Sequence, residues 1–278
     1  MRHLLLPLAL SFICVTASAA DPTSPEEAIL APIKALRSND LLALFKSLPA
    51  ADQAEAEQSW KEEGAKASPT QKAEFDQKLA ILLNDDAIEQ LAAQVEPMLQ
   101  SYNPQEAAGQ LMMVGGMIAM GMAQDEKSAE IGKTLQALIM DMSTWLPKAG
   151  FEDPAKLRAA LTKVVAAAKA LKVTTADQFF ALSISDLLTR AGAAVKEIKA
   201  AFTVYELNPD AFLDSLIITK VEGSGDQRTA SLQFTAFGRN HTIPVNLEQK
   251  DGKWVFKQDA LEGLMPGAGA QPVTPEGL

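Results

Sequence analysis

RTASLQFTAFGRNHTIPVNLEQKDGKWVFK, residues 228–257, decides how this chain is read. Apolar and polar residues alternate along it in three runs, Arg228–Phe237, His241–Glu248 and Lys253–Lys257. Alternation with period two, broken by turn residues, marks strands that bury one face. Ala230, Leu232, Phe234 and Ala236 share a face in the first run, His241, Ile243, Val245 and Leu247 in the second, Trp254 and Phe256 in the third. The breaks fall at Gly238-Arg239-Asn240 and Lys250-Asp251-Gly252, the second suited to a tight hairpin because glycine accepts positive φ. A shorter apolar run, Leu216–Val221, comes before them. The stretch predicts an antiparallel meander of three or four strands. Pro244 has no N–H to give to a ladder, which places its strand at an edge or at a bulge.

Upstream of the meander the pattern is helical. Ser24-Pro25-Glu26-Glu27 carries the chemistry of a helix start, as do Asn103-Pro104, Asp153-Pro154, Thr175 and Ser185, whereas Asn208-Pro209-Asp210 leads into the last connection before the sheet. Pro32 and Pro97 are expected to interrupt or bend their helices. Residues 50–66 favour helix by propensity, with Trp60 as the main apolar anchor on an otherwise exposed surface. The fold class is therefore α+β: a mostly helical chain followed by a C-terminal antiparallel meander, with the helices covering the apolar face of the sheet. The expected organisation is a leader over 1–20, a helical region over 21–150, helices plus sheet over 151–262, and a disordered tail over 263–278.

The leader reading rests on a basic start, Arg2-His3, an apolar core from Leu4 to Val15, and the small-x-small sequence Ala17-Ser18-Ala19. That is the pattern of a secretory signal peptide cleaved near Ala19 or Ala20, and it places the mature protein in the periplasm or outside the cell. Cys14 lies inside the leader, so the mature chain would carry no disulfide, thiolate nucleophile or cysteine metal site. His241 would be its sole histidine, too little for a structural zinc site. A formal net charge of −10 argues against nucleic acid, which needs clustered Lys and Arg, and against adsorption to anionic lipid. No nucleophile elbow, phosphate loop or dinucleotide fingerprint occurs, and paired carboxylates such as Asp85-Asp86 are neighbours that do not face each other on a helix. The chain reads as no enzyme, with no cofactor.

One segment stands apart. LMMVGGMIAMGMA, residues 111–123, holds no charge but is too short for the ~20 residues that cross a bilayer. It is expected to be a central helix buried nearly all round, running on through Ile131 to Trp145, with no transmembrane anchor in the mature chain. Met113, Met117 and Met120 fall at i, i+4 and i+7 on one helical face. Thioethers suit copper(I), so a methionine copper site is the alternative to core packing.

The turn and strand chemistry of the C-terminal block, Thr229-Ala230 after a glycine turn, Thr242–Leu247, and Lys250-Asp251-Gly252-Lys253-Trp254, resembles small exported bacterial domains of the cystatin-like or NTF2-like type. The resemblance covers about 45 residues. It implies a curved sheet preceded by helices, a superfamily arrangement that hosts enzymes, binding modules and domains of unknown role.

Binding is what remains. An apolar small molecule between sheet and helices would touch Leu232, Phe234, Val245, Trp254 and Phe256, although the same side chains equally make a solid core. An envelope protein could instead dock on the exposed helices around Trp60. A large exposed apolar patch near Trp60 or the Met segment would favour a partner or a membrane surface. The function read here is thus a non-enzymatic exported protein that binds a ligand or a protein; copper(I) binding by the methionines, or a small enzyme using scattered carboxylates, are the alternatives.

Overall fold

The computed structural model describes residues 24–122, 126–250 and 252–257. The expectations for the leader and for the tail lie outside these residues. Within them the chain forms eleven α-helices followed by a four-stranded antiparallel sheet in the order β1-β2-β3-β4. The strands are β1 (Ile217–Glu222), β2 (Gln227–Ala236), β3 (Arg239–Lys250) and β4 (Lys253–Phe256). The α+β class and the C-terminal meander are as expected, and the sheet is open.

The β2–β3 break is tighter than the sequence suggested. Phe237 and Gly238 alone form the turn, both with positive φ (51° and 78°). Arg239 and Asn240, expected in the loop, already pair with Ala236 and Thr235. Two consecutive left-handed residues match the twist of the strands they join.

Pro244 sits in a strand with neighbours on both sides, yet its missing donor costs nothing. Short β4 reaches only from Lys250 to Leu247 of β3. The flanking residues of the same parity point their carbonyls away from β2. The Asn246 oxygen accepts from Lys257 N–H and the Thr242 oxygen from Thr134 Oγ1. The Pro244 nitrogen therefore faces an edge that β4 leaves open.

The inner face of the sheet packs on α1 (Pro25–Arg37). Ala28 and Ile29 form one buried cluster with Ala230, Leu232, Leu247 and Trp254, joined by Ile33, Val245 and Phe256. Ser24 caps α1 by accepting from the Glu27 N–H, and the helix runs through Pro32 without a break. One proline in a helix otherwise fixed by its buried face loses a single ladder bond. Pro97 is likewise inside α5 (Ala87–Gln100).

Between these lie α2 (Leu41–Lys46), α3 (Ala50–Lys66) and α4 (Pro69–Leu83). Then α6 (Pro104–Met122) and α7 (Glu126–Trp145) are followed by α8 (Pro154–Ala170), α9 (Ala176–Phe180), α10 (Ile184–Thr203) and α11 (Pro209–Asp214). Helices α8 and α10 pair at the centre of the helical layer, with Leu157, Val165, Leu187 and Leu188 buried. The cap of α10 is Ser183, which accepts from the Asp186 N–H, rather than the expected Ser185.

The α1 C-terminus is tied to α11 by charge. Lys199 of α10 donates to the Leu36 carbonyl at 2.5 Å and to Asp210 at 2.7 Å, and Arg37 reaches Asp214 at 2.6 Å. Cations belong at a helix C-terminus, where carbonyls lack partners.

Candidate functional site

Residues 104–145 form two helices and not one continued rod. Gly115 of α6 faces Ile139 of α7, and Gly132 of α7 faces Met122 of α6. These contacts run in opposite directions along the two helices, so α6 and α7 are an antiparallel hairpin. The glycines let the backbones approach: a Cβ on Gly115 would sit 2.9 Å from Ile139 Cγ2.

This hairpin corrects the expectation of burial for the methionine segment. Of α6 only Gly115 is buried. Leu111, Ile118 and Met122 turn partly inward, at the spacing of one helical face. The opposite face is open, and Met112, Met113, Met117 and Met120 are 52, 63, 54 and 72% exposed. Glu106 is the helix's one charged residue. Hydrophobic composition alone does not mean burial: α6 packs on α7 through Gly115, Leu111, Ile118 and Met122, and its other methionines lie on the outer side. Met140 of α7 and Met98 of α5 are exposed as well. No helix among the described residues is long and apolar enough to cross a membrane.

The hairpin is held to the sheet by α7. Besides the Thr134–Thr242 bond, Asp141 is buried against β3. Its Oδ1 lies 3.1 Å from Arg239 Nη1, and its Oδ2 3.4 Å from His241 Nε2. His241 is buried too and stacks on Phe234, with ring centroids 5.4 Å apart. Trp145, one turn beyond Asp141, packs on Phe237 and Phe151, and Phe151 on Tyr205. Burial, then the Asp153 charge, pushes the Tyr205 phenol above its ordinary pKa; burial does the same to Tyr102.

The structure places the five side chains expected to meet an apolar ligand as follows. Leu232, Trp254, Val245 and Phe256 belong to the cluster shared with α1. Phe234 lies apart from them, between Phe212 and His241. None of the five lines either of two open depressions of about 370 and 320 Å3. The first lies beside the β1–β2 turn around Arg228 and Asn246, the second between Trp60 and Ser185. Trp60 itself is engaged: its Nε1 donates to the Leu182 carbonyl at 2.9 Å and its ring meets Phe179 and Phe180.

No group of three or more His, Cys, Asp or Glu side chains stands close enough to hold a metal ion among the described residues. The soft donors are the α6 methionines. The Asp141–His241 contact escaped sequence reasoning because the two are a hundred positions apart. The signal that could have found it is Asp141 itself, a lone carboxylate in the apolar run LIMDMSTW. Comparison with family models, curated proteins and solved structures returned no match for this chain.

Proposed function

We propose that this is a non-enzymatic, exported protein of the cell envelope that works by binding, and that its binding surface is the open face of α6. The observation that supports this reading is the row of methionines left in solvent on a helix with a single charge. Scattered exposed apolar residues are ordinary; a contiguous set on one helix is not. Methionine suits such a surface because its unbranched, polarisable side chain adapts to the shape it meets. The partner is an apolar protein surface. An apolar small molecule held by Leu232, Phe234, Val245, Trp254 and Phe256 is the weaker reading, since those side chains are occupied by one another, α1 and α11.

The test is binding of the neutral dye Nile red to the purified protein and to Met113→Glu Met117→Glu. Both positions are exposed, so the fold tolerates the change. Dye fluorescence that rises with the wild type and falls at least fivefold with the variant supports the reading. Equal fluorescence from both overturns it.

A specific observation also favours copper(I). Met113, Met117 and Met120 project from one face of α6 at spacings that let thioethers converge on a soft ion. Titration with Cu(I) against a chromophoric chelator, on the wild type and on Met117→Ala Met120→Ala, checks this: chelator retention of all the copper by both proteins ends the reading.

A further inference from the structure

The open face of α6 contains glycines as well as methionines, and these glycines meet nothing among the described residues. Gly115 is explained by Ile139. At Gly109, Gly116 and Gly121 an added Cβ would meet nothing within 4 Å, and the first two of these lie on the methionine face. Glycine weakens a helix interior relative to alanine, and its usual reason for being there is the close approach of another backbone. Within the described residues no backbone takes that place.

The positions have an order. Gly109, Met113, Gly116 and Met120 lie at i, i+4, i+7 and i+11, the seam spacing of two packed helices. Gly and Met alternate along this seam. When a second α6 is laid antiparallel, with a two-fold axis passing between Val114 and Gly115, Met113 of each chain falls opposite Gly116 of the other. By the same symmetry Met120 falls opposite Gly109, and Met112 opposite Met117. Both seam methionines then meet a glycine, with Met112 and Met117 as a methionine pair at the flank, and this is the self-complementarity a two-fold interface requires. A parallel pairing in register would set Met on Met and Gly on Gly.

Charge selects the same face. Two chains of net charge −10 repel each other over most of their surfaces. From Gly109 to Met120 the α6 seam is free of charge and adds no local repulsion, Glu106 lying one turn before it. We infer that a second copy of this chain is the partner of the methionine face, paired antiparallel along α6 in a symmetric dimer. The inference rests on the reading of that face as the binding surface. One helix face supplies fewer than the roughly 20–30 residues per side of a standard interface, so the dimer is reversible and assembles in the micromolar range.

Sedimentation equilibrium of the full chain from about 1 to about 300 µM reads the dimer directly. The wild type is expected to pass from the mass of one chain to that of two, and Met113→Glu Met120→Glu to stay at one. Register is read separately, in a Cys14→Ser background. A mixture of Met113→Cys and Gly116→Cys chains should cross-link at least fivefold faster than either alone, because only the mixed pair comes within disulfide reach. A monomer at all concentrations overturns the dimer, as does a dimer indifferent to the two glutamates. Faster cross-linking of either single variant overturns the antiparallel register. Nile red separates this from the broader reading: a monomer whose dye binding is lost in the glutamate variant keeps the binding surface but not the second copy. A monomer without dye binding loses both. Flotation of the monomer with phosphatidylcholine vesicles makes lipid the occupant and overturns self-pairing.

Discussion

Asp141 Oδ2 and His241 Nε2 face each other across 3.4 Å at the junction of α7 and β3, both buried and neither hydrogen-bonded among the described residues. The contact is within polar reach but is poorly aligned for a hydrogen bond. Its electrostatic support comes from Arg239, whose side chain is largely in solvent and so screened. The Trp145 indole N–H, also on this side of α7, is likewise buried without a partner. Buried polar groups without partners cost stability, so the hairpin is fastened to the sheet by position and packing more than by this polar pair.

The pair therefore predicts a particular pattern in a mutant cycle. His241→Phe preserves the stack on Phe234 but leaves the carboxylate facing a ring, and should cost about 1–3 kcal/mol. Adding Asp141→Leu removes the buried carboxylate, whose remaining partner is the solvent-exposed Arg239. The double variant is expected to recover most of that loss, because replacing a buried polar pair by apolar groups of similar shape is often neutral or stabilising. Urea unfolding of the three variants gives the coupling. Simple addition of the two single effects would show that the side chains do not interact.

Two glycines in helix interiors should respond oppositely to alanine. At Gly192 of α10 a Cβ would drive into the Asn39 carbonyl oxygen, and Asn39 is held at φ 60° in the turn before α2. Backbone cannot swing aside as a side chain tip can, so Gly192→Ala is expected to cost more than about 2 kcal/mol. Gly116 meets nothing, and Gly116→Ala should stabilise α6 by about 0.5–1 kcal/mol at dilutions where the chain is monomeric. Thermal unfolding at low micromolar concentration checks both signs.

The sheet was legible because period-two alternation has one physical meaning where one face is buried. Leu232 and Trp254 had to point together, and they do. The hairpin was not, for two reasons. Helical periodicity says which residues share a face but not which face is covered, and on α6 the covered face is the one with Gly115. The return of α7 onto α6 is marked only by the polar run QDEKSAE, residues 124–130, which holds no glycine or proline to signal a turn. Pro32 and Pro97 misled in the other direction: proline disfavours a helix interior locally, and tertiary packing on the face of α1 outweighs one lost bond.

Alkaline pH should loosen the aromatic cluster at the α7–α8 junction. The folded chain holds the Tyr205 proton more tightly than the unfolded chain does, by burial first and then by the Asp153 charge. The folded state thus binds more protons in the window above the ordinary phenol pKa of 10.0, and stability must fall as pH rises there. The contribution is fully present below that value and lost as pH passes through the raised one. Tyr205→Phe keeps the ring on Phe151 without the ionisable group. Urea midpoints measured from pH 8 to pH 11 should therefore decline less steeply in the variant than in the wild type; parallel declines would remove Tyr205 as the cause.

Trp60 is the fastener of the N-terminal helical arm. Helix α3 has no fully buried residue, and a seventeen-residue helix of this kind is marginal alone in water. Its largest anchor is one ring edge-on to Phe179 at 5.4 Å, tilted over Phe180 at 5.8 Å, with the indole N–H given to Leu182; Ala56 and Gln53 add smaller contacts to the Phe45–Leu48 region. Phe75 of α4 joins the same aromatic group from the other side, 5.1 Å from Phe179. Trp60→Ala removes the ring and the bond together and should cost about 3 kcal/mol, with amide protons of residues 50–66 exchanging far faster than those of α8. Trp60→Phe retains part of the packing and drops only the hydrogen bond, for about 1 kcal/mol. The ratio of the two is the informative quantity. If Trp60→Phe were as damaging as Trp60→Ala, the bond to Leu182 and not the aromatic contact would hold α3, and the arm would be anchored through the backbone that joins α9 to α10.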